Sequence, residues 1–258
     1  MPSKRIAKVK VLTASAETPV EKRCRLRKTS VSFNVKLTEE QKKAKALALE
    51  NDVIVFTGVP GTSKSLMSCN IALDLLISGR VGKIIVTRPM QDVGKSMGFL
   101  PGDAFDFKEG KSAPYLAPIL QAMCKLRNKT EIEKLIEQGK IEIVPIQFVR
   151  GLNFEDCVVL IDESQNATTE ELKAITTRLC KDSKLIFTSD VNQIDLMNKH
   201  SSAGFFFKEI EGLEGVVLIE LLENFRSPLA LSIMDRINTY DERKREEREI
   251  ARVVHGSE

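Results

Sequence analysis

The sequence predicts an α/β protein with a mostly parallel sheet and helices on both faces. Three observations predict it. Apolar runs of strand length, such as Val53–Thr57, Cys157–Ile161 and Val216–Glu220, are continuous rather than alternating, as in strands buried on both faces. Helical patterns separate these runs, the order that builds a parallel sheet. The first run leads into a loop, Gly58-Val59-Pro60-Gly61-Thr62-Ser63-Lys64-Ser65, which opens onto a helical stretch from Leu66 to Ile77.

Composition narrows the class. The 258 residues are 42% hydrophobic and 29% charged, ordinary for a soluble globular chain and enough for one large domain with appendages. No apolar run approaches the roughly 18 residues of a membrane span, and the basic N-terminus has no apolar core of a secretory signal. The five cysteines, Cys24, Cys69, Cys124, Cys157 and Cys180, are scattered, with no C-x-x-C pair. They read as reduced thiols packed as small hydrophobes in a cytoplasmic protein. Only two histidines, His200 and His255, are present, which argues against a histidine zinc site.

The chain then reads in three parts: a basic arm over 1–36, a main domain over 37–240, and a charged C-terminal helix over 241–258. The net charge of +3 names no partner, but Lys4, Arg5, Lys8, Lys10, Lys22, Arg23, Arg25, Arg27 and Lys28 crowd the arm against Glu17 and Glu21. Such a run suits phosphates or anionic lipid, and equally a solvated tail. Weak strand character appears at Val9–Leu12 and Val31–Phe33. Thr38 is a natural N-cap for a helix to about Glu50, with Gln41 completing a capping box.

The loop Gly58–Ser65 is a phosphate cradle between a strand and a helix. Its backbone N–H groups would wrap a β-phosphate, Lys64 would reach the β and γ oxygens, and Ser65 would offer a hydroxyl to Mg²⁺. The pattern is Walker A, G-x-x-x-x-G-K-[ST], except that Ser63 stands where a glycine belongs. Gln41, just upstream, is also placed as helicase-like ATPases place an adenine-reading glutamine. A strand Lys83–Thr87 leads to Arg88-Pro89, then to a long glycine-rich and charged stretch, 90–111, of the kind that carries function. Helices are expected near Tyr115–Leu126 and Glu131–Glu137, and a short strand over Ile141–Ile146.

Cys157–Ile161 ends in Asp162-Glu163, a Walker B pattern. It delivers Asp162 to hold Mg²⁺ through water and Glu163 to orient or deprotonate an attacking water. Thr168 and Glu171 cap a helix to about Cys180. Lys184–Thr188 is a buried strand ending at Ser189-Asp190, with Gln193 beyond, candidates for sensing a γ-phosphate or water. A helix near Ala203–Glu211 and the strand Val216–Glu220 follow. Ser227-Pro228 reads as N-cap and first helical residue. Arg226 before it is a cation at a helix end that prefers anions, and so calls for its own partner. Beyond it, Asp241–Glu249 mixes both signs at spacings suited to an exposed helix.

In this order the residues resemble the PhoH-like ATPases, a P-loop family related to the first motor domain of superfamily 1 helicases, over roughly residues 37–240. Gly58–Ser65 resembles the family's G-x-P-G-T-G-K-T, and Thr87-Arg88-Pro89 its T-R-P. Gly98-Phe99-Leu100-Pro101-Gly102-Asp103 is similar to G-F-L-P-G-D. Pro114-Tyr115-Leu116 with Pro118 resembles P-Y-L-R-P without its arginine, and Arg150-Gly151 the start of R-G-R-T. Asp162-Glu163-Ser164-Gln165-Asn166 resembles D-E-A-Q-N, Ser189-Asp190 with Gln193 resembles G-D-x-x-Q, and Asn224-Phe225-Arg226-Ser227 the helicase N-Y-R-S, whose arginine contacts the γ-phosphate. The resemblance implies a RecA-like domain, with the Asp190 strand between the Walker A and Walker B strands. It also implies ATP and Mg²⁺ as cofactors, and coupling to RNA or DNA. Ser63 and Ser189 replace family glycines and bear on turnover more than on binding.

Room for one motor domain implies that a second wall of the ATP site comes from another copy, in a homo-oligomeric ring read as a hexamer. Arg88, Lys95, Phe99 and Arg150 are the candidate contacts to RNA or single-stranded DNA, by phosphate contact and stacking. The rival readings are a slowly hydrolysing, nucleotide-gated module that assembles on a protein partner, favoured by Ser63 and Ser189, and a small-molecule phosphotransferase, disfavoured by Glu163 beside Asp162.

Overall fold

The computed structural model describes residues 10–13, 31–89, 113–149, 151–190 and 203–255. Packing divides the chain into a larger unit, Met1–Glu223, and a smaller one, Asn224–Glu258. One helix, Pro228–His255, runs unbroken through residue 240.

The larger unit runs β1 (Lys10–Thr13), α1 (Glu39–Glu50), β2 (Val53–Thr57), α2 (Lys64–Ile77), β3 (Lys83–Thr87), α3 (Ala113–Leu126), α4 (Lys129–Glu137), β4 (Ile141–Ile143), α5 (Ile146–Val149), β5 (Cys157–Ile161), α6 (Thr169–Thr176), β6 (Lys184–Thr188), α7 (Ala203–Ile210) and β7 (Val216–Glu220). Among the described residues these strands form one seven-stranded sheet in the order β1-β7-β2-β6-β5-β3-β4. Six run parallel, and β1 closes the β7 edge antiparallel. This is the RecA-like α/β arrangement, with β6 between β2 and β5 as expected.

The continuous apolar runs are explained by the period-two geometry of a strand. Ile54, Phe56, Ile84, Val86, Val158, Leu160, Ile186, Val217 and Ile219 face one core, shared with α1, α2, α3 and α4. Their neighbours Val53, Val55, Ile85, Val159, Ile161, Leu185, Phe187, Val216 and Leu218 face the other, shared with α5, α6 and α7. Register then aligns the strand ends. Thr57 pairs with Glu220, Phe56 with Thr188, and Thr87 with Ile161, so the carboxyl ends of β2, β6, β5 and β3 share one edge.

Three local expectations change. Val31–Phe33 is not a strand. Instead Phe33, Val35 and Leu37 pack on the first core, and Lys45 sits over the Phe33 ring while pairing with Asp74. The expected strand Ile141–Ile146 stops at Ile143. Pro145 has no N–H for the ladder, and its carbonyl accepts from Phe148 N as a short helix begins. The helix after Thr168 ends at Thr176 rather than near Cys180. There Phe154 N donates to Arg178 O and Cys180 N to Phe154 O, so a strand-like bridge competes for the backbone. Both capping boxes, Thr38 with Gln41 and Thr168 with Glu171, are present.

Glu40 was not singled out in the sequence. It is buried, and its carboxylate accepts from Leu222 N at 2.8 Å and Glu223 N at 2.9 Å. It thus pins the chain leaving β7 to the start of α1.

The smaller unit is α8 (Pro228–His255), started by Ser227, whose Oγ accepts from Ala230 N at 3.2 Å. The charged stretch 241–249 is part of this helix. Among the described residues no helix is long and apolar enough to cross a membrane.

Replacing Glu40 with Ala leaves two backbone donors without their acceptor. It should lower stability by about 2 kcal/mol, read as a shifted urea midpoint at unchanged slope. A second test concerns Cys69, whose thiol is pushed well up from its ordinary range, first by burial and then by the Asp162 charge. The unfolded thiol ionises near about pH 8.5 while the native one keeps its proton. Stability should therefore fall as pH rises past that value. Cys69→Ala should flatten the fall by up to about 1.4 kcal/mol per pH unit.

Candidate nucleotide site

The site is built where β2 gives way to α2. Gly58 has φ +139°, and a Cβ there would lie 2.5 Å from Leu221 O and 2.9 Å from Thr62 Oγ1. Glycine is required at this point because the loop passes against the end of β7. The turn is held by Thr62 Oγ1, which donates to Val59 O at 3.0 Å. Gly61, at φ +97°, completes it.

Ser63 then adopts the left-handed conformation, φ 65° and ψ 26°. This is the position where the Walker pattern has glycine, and the serine takes the glycine-like backbone at a strain of about 1 kcal/mol or more. Its side chain makes no cap, and the first turn of α2 carries no acid. By contrast, α1 and α6 begin with capping boxes and with Glu39, Glu40, Glu170 and Glu171. The start of α2 thus lacks the capping side chain and first-turn acids of the other two helices, an arrangement that suits an anion.

Lys64 folds back over the loop, Nζ donating to Gly58 O at 2.6 Å and Val59 O at 3.1 Å. Ser65 Oγ donates to Asp162 Oδ1 at 2.9 Å, joining residues 97 positions apart. Asp162 is 3% exposed, and its N–H donates to Thr87 O at 3.0 Å. One hydroxyl and one carboxylate in mutual contact are hard oxygen donors. That set fits Mg²⁺, which takes its remaining ligands from phosphates and water. Two buried hydroxyls, Thr57 Oγ1 and Thr87 Oγ1, have no hydrogen-bond partner, and both stand at strand ends on this edge.

Glu163 follows in a left-handed turn, φ 53°. Its carboxylate accepts from Gln165 Nε2, and Gln165 Oε1 accepts from Asp190 N at 3.1 Å. Gln165, quoted above only as part of a motif, therefore links the Walker B acid to the candidate sensor on the next strand. Asp190 is 3% exposed. Thr188 is a second residue that sequence reasoning missed. Its Oγ1 donates to Asp162 Oδ1 at 2.6 Å and accepts from Glu163 N at 3.2 Å. Nothing local to Thr188 distinguishes it from any threonine ending a strand.

Arg88 lies with Nη1 3.9 Å from Asp162 Oδ2 and Nη2 3.7 Å from Glu163 Oε1. Contact with a nucleic-acid phosphate would have to compete with these acids. Gln41 is 3% exposed, and its Oε1 accepts from Thr38 N at 3.1 Å. An adenine-reading role would have to share the amide with the cap. Arg226, in the smaller unit, is exposed, with its N–H on Asn224 Oδ1 at 2.9 Å and Nη1 on Met234 Sδ at 2.8 Å. Lys95, Phe99, Arg150 and Gln193 lie outside the described residues.

Ser63→Gly removes the left-handed strain but adds freedom to the unfolded chain worth about 0.4–1 kcal/mol. The two nearly cancel. The variant should match or slightly exceed the native Tm, whereas glycine at an ordinary helical position would lose about 1 kcal/mol. A clear loss of Tm would contradict the strained geometry.

Residues 35–238 match the family described as PhoH-like protein. A PhoH-like protein of Bacillus subtilis (strain 168) is 39% identical over 207 residues, covering 79% of this chain and 63% of the relative. One from Synechocystis sp. is 34% identical over 190 residues, 72% of this chain and 56% of the relative. Protein PhoH of Escherichia coli (strain K12) is 36% identical over 152 residues, 58% of this chain and 42% of the relative. The chain thus spans between 42% and 63% of the length of these relatives. Among solved structures, the UvsW helicase from bacteriophage T4 aligns at TM-score 0.46 and 13% identity, covering 72% of this chain and 60% of that one. The Pif1 helicase from Candida albicans aligns at TM-score 0.41 and 17% identity, covering 79% and 43%. By its matched span and its relatives, this chain belongs to the PhoH-like protein family.

Proposed function

We propose that the chain binds ATP with Mg²⁺ at Gly58–Ser65 and hydrolyses it, in a homo-oligomeric ring whose turnover is coupled to RNA or single-stranded DNA. The observation that carries this reading is the hydrogen bond from Ser65 Oγ to Asp162 Oδ1 at 2.9 Å. It joins the phosphate loop to the acid strand at the edge where an open α/β sheet binds ligands.

On this reading the loop amides and the first turn of α2 take the β-phosphate. Lys64 exchanges the carbonyls of Gly58 and Val59 for phosphate oxygens. Ser65 and Asp162 hold Mg²⁺, which when bound neutralises charge on those oxygens. Glu163 accepts the proton of the attacking water, its carboxylate turned by Gln165. Asp190 stands on the neighbouring strand end as sensor. Arg88, poised by both acids, is a further cation on the phosphate side. Ring assembly is supported by Arg226, an exposed cation that a neighbouring copy can use. Arginine supplied in trans is worth about 10³–10⁵ in rate. The strained Ser63 gives some weight to a second reading, a slow nucleotide-gated module.

Calorimetry with Mg²⁺ and ATP should show binding by the native chain and none by Lys64→Ala. Glu163→Gln should bind ATP but hydrolyse it at least about 10²-fold more slowly. Arg226→Ala should lose hydrolysis and keep binding, and native mass should rise with ATP. Single-stranded RNA or DNA should stimulate the rate, with binding that weakens as salt rises. Tight binding with negligible hydrolysis in every condition would select the slow module. Absence of stimulation and of salt-dependent binding would remove the nucleic-acid partner.

A further inference from the structure

Thr188 closes β6, one strand from Asp162, and is 3% exposed. Its hydroxyl both donates and accepts. The single hydrogen goes to Asp162 Oδ1 at 2.6 Å, and a lone pair receives Glu163 N–H at 3.2 Å. The backbone on either side is fixed as well. Thr188 O accepts from Ser164 Oγ at 2.8 Å, and Ser189 N donates to Phe56 O at 2.9 Å. The Thr188 backbone therefore cannot shift away from the acid without breaking a parallel ladder and the turn that follows Walker B.

Asp162 Oδ1 meanwhile accepts two hydroxyls, from Thr188 and from Ser65 at 2.9 Å. Two donors on one carboxylate oxygen restrict the rotation of the whole group. The other oxygen, Oδ2, is left facing Arg88 at 3.9 Å. A hydroxyl that accepts from the backbone and donates to a carboxylate is a rigid support. Such supports hold ligating acids in one orientation, and their loss typically costs about 10–100-fold in metal affinity.

We infer that Thr188 is a positioning residue that fixes the Asp162 carboxylate for a divalent cation, so that Mg²⁺ strengthens nucleotide binding only while this hydroxyl is present. The inference rests on the nucleotide reading above and adds to it a residue outside the Walker patterns. The same hydroxyl receives the N–H of Glu163. It therefore also ties the turn carrying the water-activating acid to the strand end carrying Asp190.

The test uses the full chain and a fluorescent, non-hydrolysable ATP analogue, with dissociation constants measured in EDTA and in saturating Mg²⁺. The ratio of the two reports how strongly the cation and the nucleotide cooperate. In Thr188→Val that ratio should shrink about 10-fold or more, while the constant in EDTA stays within about twofold of native, given that the loop amides are untouched. Thr188→Ser keeps the hydroxyl and should restore the ratio. If Val at this buried site prevents folding, Thr188→Ala supplies the same comparison with a smaller side chain. An unchanged ratio, equal weakening in EDTA and Mg²⁺, or failure of Thr188→Ser to restore it would overturn the inference, the second outcome marking a purely structural role. A native chain that binds no analogue in either condition would fail earlier, at the nucleotide reading itself, and the role of Thr188 would fall with it.

Discussion

The geometry of the site turns on one oxygen atom. Asp162 Oδ1 receives hydroxyls from α2 and from β6, so the loop after β2, the end of β6 and the end of β5 meet at a point. That meeting depends on strand order. Only because β6 lies between β2 and β5 can Thr188 stand between the loop after β2 and the acid after β5. Parallel pairing does the rest, since it brings every carboxyl end to the same edge and leaves the helices to cover the faces.

Charge is distributed to match. The loop side supplies Lys64 and the first turn of α2, and the acid side supplies Asp162 and Glu163, both near Arg88. A phosphate chain with its cation has complementary partners on both sides. Lys64 and Arg88 are engaged by carbonyls and carboxylates of the protein itself. On the proposed reading, nucleotide entry would exchange these partners rather than fill empty space.

Much of this was legible in the chain. Continuous apolar runs gave the buried parallel strands, and the two Walker patterns gave Lys64, Ser65, Asp162 and Glu163 because each pattern is short and contiguous. Thr38 and Thr168 announced their helices through local capping chemistry. What stayed hidden depends on partners far away in sequence. Glu40 looks like one more acid in a helical first turn until Leu222 and Glu223 are seen to donate to it. Thr188 and Gln165 acquire meaning only when β5 and β6 lie side by side. The end of α6 was misjudged because its competitor, the bridge to Phe154, lies some twenty-five residues upstream of Leu179. The strand from Ile141 ends earlier than its apolar run implies because Pro145 lacks the N–H that would continue the ladder, a signal that is local.

The sheet has little free border. On one side β1 lies antiparallel along β7, matching Lys10 to Glu220 and Val11 to Ile219. On the other, β4 is three residues long and is followed at once by a proline and a short helix. Among the described residues the two edge strands are four and three residues long, so each rim offers only a short row of unpaired amides. Rims this short are poor templates for edge-to-edge pairing between copies of this chain.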